Sequence, residues 1–298
     1  MNRYLILIAS FSMLISSCSQ DEYSSLDDSI KGKAVTGLIM ENTSRTYLDN
    51  NQDVIWNDGD AISIFGNTGY HYHYALKDGS GTTSANFEYI NTVGSADGNT
   101  TEYNYAVYPF SNNHLLLADN KISVDVSSWA MQYYVESTFE NEKAFMTGKS
   151  LNTVFPFYNA QSLARVELSS VVPGSYSISS ISFHSETLAL NGTAVINMTE
   201  DKPVLVCTDT ENESCKTNTL LCSPQIMLTD SPKYFYIVMP SATYKDLTLT
   251  IRGTNKMDKS DLFWSVTLDE DVTFNRSSIK RFTKQFEAVD FSGEILPD

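Results

Sequence analysis

The sequence predicts an all-β chain organised as two β-sandwiches in tandem. Short runs that alternate apolar and polar residues recur at close, regular spacing along the chain. No stretch carries the period of a helix of about 10–15 residues. The 17 tyrosines and the abundant serine and threonine favour strands. A length of 298 residues with 42% hydrophobic and 12% aromatic content suffices for about two buried cores.

The chain opens with a leader. Asn2-Arg3 is a positive start, and residues 4–14 form an apolar run interrupted by Ser10 and Ser12. That run is shorter than the roughly 20 apolar residues of a spanning helix, so it reads as a secretory signal. Ile15-Ser16-Ser17-Cys18 then resembles the lipobox of bacterial lipoproteins. The resemblance implies a signal peptide over 1–17, removed before Cys18, whose thiol carries diacylglycerol. Several acyl chains make such an anchor durable where one binds only marginally. Ser19-Gln20-Asp21-Glu22 resembles the acidic signal that sends these lipoproteins to the outer leaflet. Residues 18–34 are polar and read as a flexible tether.

The elements follow in order. Ala34, Val35, Thr36, Gly37, Leu38, Ile39 and Met40 alternate as a first strand and lead into Arg45, a lone cation in polar, accessible sequence. Residues 54–56 are apolar, Asn57-Asp58-Gly59-Asp60 is turn chemistry, and 61–65 is a strand, together reading as a hairpin. Strands are expected at 70–76, 86–90, 103–108 (stopped by Pro109) and 121–126. Residues 141–152 lack a period and contain Gly148, which places a joint there. The expected domains are therefore 35–150 and 151–298. In the second, strands are expected at 154–157, 163–168, 176–184, 193–197, 233–239, 246–252, 262–268 and 279–286. Residues 201–214 form an acidic surface loop.

Candidate chemistry is sparse. His71 and His73 share a strand face at a spacing that holds metals, but no third ligand stands nearby. They read as surface histidines opposite three buried tyrosines. Asp49 to Asp53 with Asp60 mimics part of a calcium loop, yet Val54 stands where that loop needs glycine, so no metal site is assigned. Cys207, Cys215 and Cys222 lack zinc spacing; one disulfide among them is compatible with an oxidising compartment, and the odd thiol has no evident role. No nucleophile, metal-hydrolase or phosphate-loop motif occurs, and no cofactor motif either, so catalytic residues are not assigned. Trp56, Trp129 and Trp264 are either core residues or a platform for sugar stacking. A formal charge of −16 argues against nucleic acid as a partner.

Further motifs carry a family resemblance. Ser44-Arg45-Thr46, Val54-Ile55-Trp56-Asn57-Asp58-Gly59-Asp60, Tyr105 to Phe110, Ser128 to Gln132, Phe157 to Leu168 and Phe235 to Pro240 follow one another in an order that resembles the fimbrillin family. These are lipoprotein subunits of type V pili in certain Gram-negative anaerobes. The resemblance implies two transthyretin-like Greek-key sandwiches and an outer-membrane-anchored, cell-surface location. It also implies assembly with other pilus subunits by strand exchange. In polymerising members an Arg-specific protease removes an N-terminal strand, which here maps to 34–40 with the cut after Arg45. Subunits that terminate or anchor the pilus need not be cut. Asp28-Ser29-Ile30 resembles the O-glycosylation motif of the same bacteria. The alternative from the residues is a surface lipoprotein that binds a host or glycan ligand.

Overall fold

The structure is a computed structural model describing residues 30–40, 55–95 and 99–287. Among these residues there is no α-helix, only strands and short 3-10 turns. The strands are β1 (Val35–Ile39), β2 (Ala61–Phe65), β3 (Tyr70–Asp78), β4 (Ser84–Ser95), β5 (Asn104–Tyr108), β6 (Leu115–Leu117) and β7 (Lys121–Asp125). Then come β8 (Met131–Tyr133), β9 (Met146–Ser150), β10 (Val154–Asn159), β11 (Ser162–Ser170), β12 (Tyr176–His184), β13 (Thr193–Asn197) and β14 (Leu205–Cys207). The rest are β15 (Thr217–Met227), β16 (Lys233–Met239), β17 (Thr243–Tyr244), β18 (Thr248–Asn255), β19 (Asp261–Thr267), β20 (Val272–Thr273) and β21 (Ile279–Phe286).

The first sheet closes on itself in the order β1-β10-β9-β5-β2-β3-β4. Closure leaves no free edge, which is the surest protection of a sheet against stray pairing. The second unit is a sandwich of β16-β11-β21 against β19-β18-β12-β15-β8. Its core takes Ala164, Val166 and Leu168 from β11, Ile178 and Ile181 from β12, and Phe235 and Ile237 from β16. On β11 and β16 these are alternating inward positions, as the pleat requires, while on β12 an irregularity between Ile178 and Ser180 spaces Ile178 and Ile181 by three. A separate core fills the barrel and runs on under a four-stranded sheet, β14-β13-β7-β6, to include Ile122, Val124, Ala194 and Ile196.

Strand pairing does not respect residue 150. β10 belongs to the barrel, β7 of the first half pairs with β13 of the second, and β8 pairs with β15. The region expected as a joint contains β9, a barrel strand between β5 and β10. Gly148 is there for close approach: a Cβ on it would lie 2.8 Å from the Pro156 carbonyl oxygen. β15 was not among the expected strands; it contains Pro224, a residue that argues against a central strand when it falls inside a run. Pairing with β12 shifts register between Ile178 and Ser180, and this bulge takes up the proline region. The expected loop at 201–214 contains β14, and the expected tether ends in a packed turn, since Ile30 is buried. Ile55 and Trp56 belong to no strand; β2 instead lies between β3 and β5.

One side chain does the work of a missing strand. The buried Gln132 carboxamide accepts from the Val238 N–H at 2.8 Å and donates to its carbonyl at 3.1 Å. It thereby satisfies the outer edge of β16 as a peptide group would.

Candidate strand-exchange site

β1 is the segment by which the N-terminal part of the described chain enters the fold. It pairs in parallel with β10, Thr36 to Ile39 against Val154 to Phe157, and antiparallel with β4, Val35 to Leu38 against Phe87 to Ser84. Beyond the ladder, Met40 N–H donates to the Phe157 carbonyl at 3.0 Å. β1 therefore seals the barrel between two strands that would otherwise be edges. The expected strand 34–40 is present, with Ala34 and Met40 as exposed flanks.

Val35, Gly37 and Ile39 point inward while Thr36 and Leu38 are half-buried. Under the middle of the strand lies an aromatic floor. Trp56 meets Phe87 at 5.0 Å, Phe157 at 5.2 Å and Tyr108 at 5.6 Å between ring centroids, each edge-to-face. The floor explains the glycine: a Cβ at Gly37 would stand 3.0 Å from both Phe87 and Trp56 and 3.2 Å from Phe157. The Trp56 indole N–H donates to the Gly37 carbonyl at 3.3 Å, while its own backbone is tied to Thr82 and Gly81. Sequence reading placed Gly37 in the strand but missed its partners. The available signal was a glycine inside an alternating run, which marks close approach.

The turn after Trp56 is held by Asp60, whose carboxylate accepts from Asn57 N–H at 2.7 Å and from the Tyr108 hydroxyl at 2.9 Å. Burial raises the Asp60 carboxyl above its usual range and also raises the Tyr108 phenol. At the other end, the Tyr74 hydroxyl donates to the Ile30 carbonyl at 2.7 Å, anchoring the turn before β1.

Cys18 and Arg45 lie outside the described residues, as do Asp28 and Ser29 of the glycosylation motif and Asp49 to Asp53. The histidines depart from expectation. His71 is buried against Phe65 at 4.6 Å between rings, and His114 comes from the loop after β5 to stack 6.4 Å from it. His114 Nδ1 pairs with the buried Ser63 hydroxyl at 3.0 Å. Tyr70, expected inside, is exposed. Burial holds His71 down to about 4 and His114 down to about 3. Among the described residues no group of three His, Cys, Asp or Glu side chains is placed to hold a metal. No helix among them is long and apolar enough to cross a membrane.

Trp56 and Trp129 are fully buried and offer no face to a sugar. Trp264 is half-buried, with the Lys284 ammonium 5.5 Å above its ring.

With the barrel and its sealing strand described, comparison with known proteins bears on the fold. No family model matches the chain, and no curated protein matches it in sequence. A solved candidate cell adhesion protein from Bacteroides ovatus superposes with a TM-score of 0.55 at 13% identity, over 86% of this chain and 92% of its own. The common ground is the fold. A second candidate cell adhesion protein, from Bacteroides uniformis, gives a TM-score of 0.47 at 16% identity over 86% of this chain and 92% of that one. The tip fimbrial protein of Porphyromonas gingivalis gives 0.27 at 11% identity, over 79% and 82%, a likeness too small to carry an argument.

Proposed function

We propose that the chain is a fimbrial subunit or accessory adhesin, lipid-anchored at the outer membrane through Cys18 and assembled by strand complementation. The observation that carries this reading is β1: a short strand, bracketed by two partners, that seals the barrel over an aromatic floor. It joins the rest of the chain only through residues 41–54, which include Arg45. A cut after Arg45 leaves it held by main-chain bonds and a few side chains. Burial of Val35 and Ile39 contributes about 1.5–3 kcal/mol each. Departure of β1 uncovers the edges of β4 and β10 and an apolar groove, which a strand from a neighbouring subunit then fills. Main-chain bonds supply affinity and alternate side chains specificity. The groove asks for an apolar residue, a glycine and an apolar residue at alternate positions. Val35, Gly37 and Ile39 meet it, and Phe291, Gly293 and Ile295 have the same spacing.

The test is the order of cleavage. An Arg-specific protease at limiting dose on the leaderless chain is expected to cut after Arg45 before Arg165, Arg252 or Arg281, which lie within strands. Arg276 is tied to the Asn159 carbonyl at 2.6 Å and should follow later. Arg45→Ala removes the first product and leaves the melting temperature nearly unchanged, as surface substitutions cost within about 0.5 kcal/mol. N-terminal sequencing that finds another first cut overturns the assignment.

A further inference from the structure

The three described cysteines fall into two groups. Cys222, on β15, is buried in the sandwich core. Cys207 and Cys215 are buried in the other core, at opposite ends of a loop whose seven intervening residues run from Thr208 to Ser214. We propose that Cys207 and Cys215 form a disulfide and that Cys222 stays a thiol.

The geometry converges on one short stretch of backbone, Leu190 to Ala194. Cys207 stands directly opposite Ala194 in the β13–β14 ladder, and both side chains enter the same core. The loop then folds back on itself: Asn212 N–H donates to the Asp209 carbonyl at 3.0 Å, and Cys215 N–H to the Asn212 carbonyl at 2.9 Å. This return brings Cys215 against the start of β13. Its carbonyl accepts from Leu190 N–H at 2.7 Å and from Asn191 N–H at 3.2 Å. Its sulfur lies over Gly192, where a Cβ would be 2.8 Å from Sγ. Gly192 also has a φ of +95°, so the residue opposite the thiol is fixed as glycine by both backbone and space. Cys207 and Cys215 are both thiols in the structure, lying against the same stretch of backbone, and Cys215 is near enough to act electrostatically on Cys207. The Asp209 carboxylate, accepting from Thr193 N–H at 2.7 Å, pins the loop in this return.

Burial pushes the Cys207 thiol up to about 12, with the neighbouring Cys215 the next cause, so the closed fold protects it from random oxidation. Bridging thus belongs to folding or to opening of the 208–214 loop. The reaction is exchange with a small disulfide oxidant such as oxidised glutathione. One cysteine thiolate attacks a sulfur of the oxidant, expelling one thiolate and forming a mixed disulfide. The other cysteine thiolate then attacks the protein sulfur and expels the second. Two protons leave the cysteines, two electrons pass to the oxidant, and the oxidant ends as two thiols. The bridge ties β14 to the end of its own return loop. It so fixes the edge of the four-stranded sheet that joins the two halves of the chain.

The test is refolding of the full chain from urea in a reduced/oxidised glutathione buffer at pH 8, followed by acid quench, alkylation in denaturant and peptide mapping. Cys207 and Cys215 are expected to resist alkylation until a reductant is added, with a mass lower by two hydrogen atoms. Cys222 is expected to be alkylated, and Cys18 is read on its own peptide. Cys222→Ser should leave the bridge intact, and Cys207→Ser should expose Cys215 to alkylation. A folded chain with both cysteines alkylated, a bridge to Cys222, or a stable glutathione adduct on either cysteine overturns the assignment. Because the wild-type map decides alone, a variant that fails to fold does not blunt the test.

Discussion

At the scale of single residues, Gly37, His71 and His114 bear most directly on stability. Gly37 is small because three aromatic rings occupy the space a side chain would take. Gly37→Ala should destabilise the chain by about 1–3 kcal/mol, the usual cost of overpacking, and Gly37→Val by more. Urea denaturation measures this, and a neutral Gly37→Val would show that the aromatic floor does not press on β1. His71 and His114 form a buried pair held neutral chiefly by burial, with smaller contributions from His73 on the first and Asp125 on the second. An unfolded histidine titrates near 6.5, so the unfolded chain binds more protons between that value and the depressed folded ones. Stability is accordingly complete above about pH 6.5 and falls with acidification through the window, by up to about 1.4 kcal/mol per pH unit for each histidine. Asp60, raised by burial, acts in the opposite sense nearer the carboxylate range. His71→Phe should remove about half of the loss between pH 7 and pH 5 in urea melts. An unchanged loss would assign the acid sensitivity elsewhere.

At the scale of elements, strands with strong alternation were legible in the sequence. β12, β13, β16 and β21 were read with the bounds they have. β13 alternates cleanly and β16 holds a continuous buried run, so local pattern and tertiary environment agree there. β9 and β15 were not legible. Gly148 in β9 read as a break but is demanded by the approach of Pro156, a contact set by β10. The stretch holding β15 was given no strand, and its Pro224 is absorbed beside a shift in register against β12. The seat of β1 was half legible. Its own alternation is plain in the sequence, whereas the meeting of Trp56, Phe87 and Phe157 beneath it depends on barrel closure, which no local run encodes. The histidines show the same limit: His71 was placed on a solvent face because nothing near it announced that the 110–114 loop would cover that face.

At the scale of the whole molecule, the barrel and the sandwich are linked by strands rather than by a hinge. β7 and β8 precede residue 150 yet pair with β13 and β15 beyond it. We therefore propose that the barrel unit ends near residue 160 and that the segment bearing β6 to β8 folds with the second half. A fragment of residues 30–160 contains all the barrel strands and should melt cooperatively, whereas 35–150 lacks β10 and should not. Circular dichroism melts of the two decide this, and equal cooperativity would show that β10 is dispensable to the barrel.

The same closure bears on assembly, because a sealed barrel exposes no edge until β1 is removed. The direct measurement is strand exchange on the chain cut after Arg45. A fluorescent peptide copying residues 33–41, or one copying 289–298, is added to cut and to uncut protein, and bound peptide and released N-terminal fragment are followed by size exclusion and mass spectrometry. The account predicts that the cut chain binds peptide while losing its own β1 in equal amount, that the uncut chain does neither, and that replacing the central glycine of the peptide by valine abolishes binding. A cut chain that keeps β1 and takes up no peptide would contradict it.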